Sequence, residues 1–240
     1  MKLSVVIPAW NEEKLLPATL AGLAEACAGC PADLVWEVIV CDNNSSDRTA
    51  AVAREAGARV VFEPVNQISR ARNAGAAAAS GDWILFLDAD SVPSAGLMND
   101  LRRVMADDRI LYGGSALVMD EPLKGAEFFI RNWHRLARWR QWAAGSFLFV
   151  RRWAFEESGG FSHELYAAEE LELSQRLRVI GKREGLGFVF LDEHPLITSA
   201  RKLKFRSPAS HLWFVLKTVL SGGRNLRRRE KCGIWYDGRR

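Results

Sequence analysis

No apolar run in these 240 residues approaches the roughly 20 that a simple membrane-spanning helix needs. The longest near the end, Leu212 to Leu220, is interrupted by Lys217. The apolar start, Leu3 to Ile7 closed by Pro8, is too short for the core of a signal peptide. Cysteine is scarce. Four in the whole chain cannot frame a disulfide scaffold, so a reducing, cytoplasmic setting is expected. Glycine and proline, 19 and 8 residues, are too few for a fibrous chain. Two phosphate-binding signatures are also missing: there is no GxxxxGKS or GxxxxGKT loop, and Gly185-Leu186-Gly187 lacks the third glycine and following helix of a dinucleotide fingerprint. A nucleotide bound here needs its charge met by a metal and by arginine, with Arg70 and Arg72 as candidates.

What is present suits a globular chain. With 48% hydrophobic and 26% charged residues, it can bury a sizeable core in one large domain or two small ones. The net charge of +4 is unevenly placed. Residues 201–240 hold twelve Lys/Arg against Glu230 and Asp237, which leaves 21 basic against 27 acidic groups in residues 1–200. An acidic body with a basic tail suits contact with an anionic surface, lipid or nucleic acid.

Along the chain, apolar runs at Leu3–Ile7, Val35–Cys41, Arg59–Phe62 and Trp83–Leu87 alternate with helical patterns over Glu12–Cys27, Asp47–Ala56 and Ala71–Ala79. Unbroken apolar strands separated by helices predict an α/β fold, with a Rossmann-like, mostly parallel central sheet flanked by helices. The second half is less regular. Strands are expected at Ile110–Val118, Phe147–Val150 and Phe188–Leu191, and helices at Gly125–Ala143 and Glu169–Ile180.

In an open parallel sheet, ligands bind beyond the carboxyl ends of the strands. Three runs end there in polar clusters: Pro8-Ala9-Trp10-Asn11-Glu12, Asp42-Asn43-Asn44 and Asp88-Ala89-Asp90. Each acid alone could be a turn cap. Together they make a negative pocket that calls for a cation, and Asp88 and Asp90, two residues apart, can converge on a hard ion such as Mg2+ or Mn2+. Glu169 and Glu170 open a helix whose Leu173, Leu177 and Ile180 share one face. Such a pair is ordinarily a cap that complements the helix dipole. Packed together in a cleft, the two would instead raise one pKa towards that of a useful base.

These segments, with VVIPAWNEEKLLPATL, CDNNSSDRT, ARNAGAAAASGDWILFLDAD and the later GGF and AAEELELSQRL, resemble family 2 glycosyltransferases of the GT-A fold from about Leu3 to Leu177. The resemblance implies a metal-dependent inverting transferase that moves a sugar from a UDP- or GDP-sugar to a hydroxyl of a glycan or lipid-linked acceptor. It implies nucleoside contacts from Pro8, Asn11, Glu12 and Asp42. Asp88 and Ala89 lie beside the ribose in the DXD element, with Arg72 near the nucleotide, and Asp90 and Asp88 hold Mn2+ or Mg2+. Gly145 and Ser146 border donor and acceptor. Glu170 is the catalytic base with Glu169 beside it, a glutamate where the family commonly has aspartate. A late histidine, His194, is a candidate third metal ligand, and Arg201 a candidate diphosphate contact. The implied organisation is a GT-A domain over 1–205, with a nucleotide-binding half at 1–110 and an acceptor half at 111–205, then a helical basic extension at 206–240.

Other features carry weaker expectations. Cys27-x-x-Cys30 has no second pair for zinc. In 125–143, Phe129, Trp133, Leu136 and Ala137 share one helical face and Arg131, Arg135 and Arg138 the other. That pattern serves either a helix packed on the sheet or one lying in a membrane interface. Apolar Ser210–Leu220 followed by a basic cluster suits peripheral membrane contact through 206–240, at the inner face of the membrane. A catalytically silent nucleotide- or membrane-binding protein on the same fold is the alternative. No nucleic-acid motif accompanies the basic tail, and nucleic acid is not expected as a partner.

Overall fold

The computed structural model describes residues 1–121, 126–201 and 224–232, the side chains of 126–129 aside. The expectations for Ser210–Leu220 and for 202–223 and 233–240 lie outside the described residues.

Strand β1 (Lys2–Ala9) pairs in parallel with β2 (Val35–Asp42) and, on its other side, with β4 (Trp83–Leu87); β3 (Arg59–Phe62) lies parallel beyond β2. Helices α1 (Leu16–Ala28), α2 (Thr49–Glu55) and α3 (Ile68–Ala77) connect them. The strands are apolar throughout because both faces are covered. Successive side chains point to opposite faces. Val5, Ile7, Leu85 and Leu87 therefore pack with Leu16, Leu20 and Leu23 of α1, whereas Val6, Ile84 and Phe86 pack on the other side with Ala76 of α3. Fully burying one such side chain contributes about 1.5–3 kcal/mol.

Beyond β4 the sheet turns mixed. Strand β7 (Phe147–Arg151) runs antiparallel to β4 and to β6 (Ile110–Met119), and β8 (Gly187–Thr198) runs parallel to β6. The two-residue β5 (Ser91–Val92) closes the order β3-β2-β1-β4-β7-β6-β8-β5 by pairing antiparallel with β8. The remaining helices are α4 (Ala95–Met105), α5 (Ala126–Arg140), α6 (Arg152–Glu157) and α7 (Glu169–Glu184). Strand β7 still obeys the alternation. Phe147 and Phe149 face the α1 side, and Leu148 and Val150 face Leu173 and Leu177 of α7.

Three elements were not foreseen: β5, α4 and α6. Helix α4 had a legible signal, since Ser94 accepts the Leu97 N–H at 3.1 Å as an N-cap and Leu97, Met98, Leu101 and Met105 are all buried. Strand β8 also runs past its expected end at Leu191. Its pairing with β6 slips between Leu191 and Leu196, so polar Asp192, Glu193 and His194 are shed outward before pairing resumes. Hydrophobicity alone could not carry a strand across that bulge. Among the described residues, no helix is long and apolar enough to cross a membrane.

Candidate active site

The carboxyl ends of β1, β2 and β4 share one edge of the sheet, and antiparallel β7 begins there, so its lead-in Gly145-Ser146 meets the end of β4: the Asp88 N–H donates to the Ser146 carbonyl at 3.4 Å. Beyond β1, Pro8 is buried in the strand and Asn11 takes a left-handed φ of 54°. Its Oδ1 accepts the Ser46 N–H at 2.8 Å, and the Ser45 N–H donates to Asp42 Oδ1 at 3.0 Å. The Asn11 bond ties the β1 and β2 loops together and the Asp42 bond closes the β2 loop on itself, so both side chains already hold structural roles.

Arg72 organises the centre. It lies in α3, fully buried. Its Nη1 donates to Glu169 Oε1 at 2.7 Å, and its Nη2 to Asp88 Oδ1 at 3.1 Å and to the Gly145 carbonyl at 3.0 Å. The guanidinium also lies over the Phe161 ring, 5.2 Å from its centroid. Glycine at 145 follows from this packing, because a Cβ there would stand 2.4 Å from Arg72 Nη2. The structure therefore gives Arg72 to protein carboxylates, where the sequence reading had it facing the nucleotide.

Glu169 and Glu170 begin α7, whose entry is set by Ala168 in a left-handed conformation (φ 59°). A non-glycine residue there costs about 1–2 kcal/mol. Glu169 is buried and Glu170 half-buried. Burial pushes both carboxyls up, Glu169 adds to the shift at Glu170, and Arg72 opposes it. Arg72 pairs with Glu169 at 2.7 Å, and burial followed by the neighbouring Glu169 raises Glu170 to about 8.

A second arginine spans the loops that follow β1 and β4. Arg201 Nη2 lies 3.0 and 2.9 Å from the two carboxylate oxygens of buried Glu12, and 3.7 Å from Asp90 Oδ2. Ala89 is buried behind this pair, its carbonyl accepting the Thr19 hydroxyl at 2.9 Å. Asp88 and Asp90 offer the hard oxygen donors that Mg2+ or Mn2+ takes, on one turn at the strand end, so the residues present fit such an ion.

His194 stands elsewhere. Its Nδ1 is 2.8 Å from Asp100 Oδ2, across from α4. The Ser199 N–H reaches the Asp90 carbonyl at 3.1 Å. Ser199 lies five residues along the chain from His194, whose described partner is Asp100. Asp100, Glu193 and His194 bring three ligand atoms within 4.8 Å of one another, a group that could hold a metal.

Several supporting residues went unread in the sequence. Asn73 clasps the Phe161 backbone, donating Nδ2 to its carbonyl at 2.8 Å and accepting its N–H at 2.9 Å. The approach needs glycine at 160, where a Cβ would stand 2.7 Å from Asn73 Oδ1, and both Gly159 and Gly160 have positive φ. Gln67 Nε2 holds the carbonyls of His163 and Leu165 at 2.8 and 2.9 Å. Part of the basic tail returns to this wall. The Tyr166 N–H donates to the Leu226 carbonyl at 2.8 Å, and Arg227 pairs with Glu164 at 3.0 Å. Cys27 and Cys30 are free thiols, and burial pushes Cys27 up to about 12, which leaves it an unreactive neutral group.

Comparison with known proteins fits this arrangement. The sequence profile described as "Glycosyl transferase family 2" matches residues 4–155, a span that stops short of Glu169, Glu170 and Arg201. The probable glycosyltransferase YdaM of Bacillus subtilis is 30% identical over 204 residues, 75% of this chain and 47% of that protein. A dolichyl-phosphate beta-glucosyltransferase of Drosophila melanogaster is 29% identical over 216 residues, 72% of this chain and 64% of that one. The chain spans less than half the length of several of the curated relatives it matches, from 18% to 47%. Among solved structures, a mannosyltransferase of Pyrobaculum calidifontis in complex with GDP-Man and Mn2+ superposes with a TM-score of 0.69 at 18% identity, covering 90% of this chain and 60% of that one. Glucosyl-3-phosphoglycerate synthase of Mycobacterium tuberculosis, with Mn2+ and UDP-Glc, gives a TM-score of 0.62 at 21% identity, covering 97% and 79%. At these identities the likeness is one of fold, the GT-A arrangement of sheet and helices.

Proposed function

Because the chain belongs to glycosyl transferase family 2, we propose that it moves a sugar from a UDP- or GDP-sugar to an acceptor hydroxyl, on a glycan or a lipid-linked molecule. The observation that carries this reading is the Arg72 bridge, which holds donor-side Asp88 and Glu169, the neighbour of the base, in one buried network.

In this reading Asp42, Asn11 and Pro8 face the nucleoside, and Asp88 and Asp90 hold a divalent cation, Mn2+ or Mg2+. Bound there, the ion supplies charge neutralisation for the leaving diphosphate. The two solved relatives named with Mn2+ support that choice. Arg72 lies against Glu169 and opposes the rise that burial imposes on its carboxyl, and in this reading Glu170 faces the acceptor edge at Gly145-Ser146. Glu170 takes the proton of the acceptor hydroxyl, which attacks the anomeric carbon from the face opposite the diphosphate and inverts it. Arg201, released from Asp90, is placed to meet the diphosphate. The proposed location is the cytoplasm, at the inner face of a membrane where the acceptor is lipid-linked, with residues 206–240 as an added contact.

Glu170→Gln is the test. It should lower transfer by about a thousandfold or more while donor affinity, read by thermal shift with Mn2+ and a panel of UDP- and GDP-sugars, stays within twofold to threefold of the parent. Turnover near the parent level would remove Glu170 from the role of base. Donor hydrolysis in Mn2+ without acceptor separates the transferase from a silent nucleotide binder.

A further inference from the structure

Helix α5 packs through a narrow strip. Ala137 is buried, Trp133 stacks on Trp142 with centroids 6.2 Å apart, and His134 Nε2 accepts the Leu117 N–H at 3.0 Å. These contacts fix which side faces out. At 100° per residue, Arg131, Arg135 and Trp139 form one outward row. Leu136, expected on the packed face, is instead 39% exposed beside that row.

Two features of this row are unusual. Trp139 is 72% exposed, more than any other large apolar side chain described. Residues 130–140 contain four arginines and no acid, within a body where acids outnumber bases. Arg138 pairs with Asp192, and Arg140 lies over the Trp139 ring, 4.8 Å from its centroid. Arg131 and Arg135 have no ion pair or hydrogen bond among the described residues. A helix face built only for water interleaves both signs of charge and seldom spends a tryptophan on exposure.

We propose that the Arg131–Arg135–Trp139 row docks on the surface of an anionic lipid bilayer, with the guanidiniums on lipid phosphates and Trp139 and Leu136 at the boundary between headgroups and acyl chains. A basic and aromatic face with no acid complements such a surface in both charge and apolar character. Its placement serves the site: the chain leaves α5 at Arg140 and reaches Gly145 and Ser146, whose carbonyls hold Arg72 and Asp88, within six residues. Docking through α5 would bring the acceptor edge to the membrane. The proposal rests on the transferase reading for its purpose and on the α5 surface for its substance.

The experiment is co-sedimentation of the full chain with vesicles of phosphatidylcholine alone and of phosphatidylcholine mixed with phosphatidylglycerol. The parent should sediment with the mixed vesicles, weaken as salt is raised, and stay in solution with the neutral ones. Arg131→Glu with Arg135→Glu should lower the partition coefficient by about fivefold or more per arginine. Trp139→Ser should weaken binding and lose the blue shift in fluorescence that vesicles induce. Reversing Arg228 and Lys231 in the tail should change binding less than the α5 pair does. All variants should melt with the parent, the positions being exposed. Equal binding of parent and α5 variants, equal binding to neutral vesicles, or a larger loss in the tail variant would each overturn the proposal, as would competition by an oligonucleotide at equal charge. Donor hydrolysis in Mn2+ without vesicles, run on the same samples, keeps the two readings apart. Hydrolysis without sedimentation rejects the docking face alone, and its absence rejects the transferase.

Discussion

Arg72 and Arg201 each join two carboxylates at the same edge of the sheet, and they do so under different constraints. Arg72, with its side chain 3% exposed, has three protein acceptors drawn from three parts of the chain, all within 3.1 Å. Arg201, 19% exposed, follows the end of β8 by three residues. It holds Glu12 with one nitrogen at both carboxylate oxygens but stands 3.7 Å from Asp90. A buried guanidinium whose partners are all protein groups is part of the scaffold, since moving it strands charges that water cannot reach. A partly wet arginine at the limit of ion-pair distance can leave Asp90 at modest cost. One clamp sets geometry, and in the proposed reading the other yields to a ligand.

The largest effect expected from breaking this contrast is at Arg72. Arg72→Met leaves Asp88 and Glu169 without their shared cation, and a melt should show a loss of about 3–5 kcal/mol. Arg72→Lys keeps the charge but cannot reach both carboxylates and the Gly145 carbonyl together. It should recover part of the stability while kcat stays far below the parent and KM for the donor changes little. A lysine variant with normal kcat would reduce Arg72 to a structural role.

Arg201→Ala should act more mildly and with opposite signs on two readouts. Turnover should fall about tenfold, the value of one charge-assisted contact to a diphosphate. Affinity for Mn2+ in the absence of nucleotide, read by calorimetry, should rise, because the variant removes a cation that stands near Asp90. Weaker Mn2+ binding would mean that Arg201 orders Asp90 for the metal, which would make the two clamps alike.

The two clamps were unequally legible in the sequence. The strands that end at Ala9, Asp42 and Leu87 were visible because burial on both faces makes them apolar throughout, and every acid of the site lies at or just past the end of one of them or opens α7. The partners of those acids were not visible. Arg72 was read towards the nucleotide because an Ala-rich helix says nothing about which carboxylate its arginine reaches 16 or 97 residues away. The pairing of Arg201 with Glu12 spans 189 residues. His194 was a candidate ligand only because the family resemblance implies a late histidine; the bulge of β8 carries it to Asp100. The GGF segment matched a motif, but the Asn73 clasp that excludes a side chain at Gly160 is a tertiary contact without periodicity.

The effect most gradual in its onset is a slope, and it connects the clamps to the proposed base. Glu170 has an ordinary carboxyl value of 4.5 and a folded value near 8, raised first by burial and then by Glu169. Between those values the folded chain keeps a proton that the unfolded chain has lost. Stability contributed by Glu170 therefore falls as pH rises from about 4.5 towards 8 and is level above it, with a slope that does not exceed about 1.4 kcal/mol per pH unit. Glu170→Gln should remove that slope and be the more stable protein at high pH in denaturant melts. Activity must run the other way: a base works ionised, so kcat/KM should climb with pH and level off above about 8. In Arg72→Lys, a less well placed cation opposes the shift less, and the climb should move to higher pH. If it stays put, Glu170 is tuned by burial alone, and the Arg72 clamp holds the base in place without setting its proton affinity.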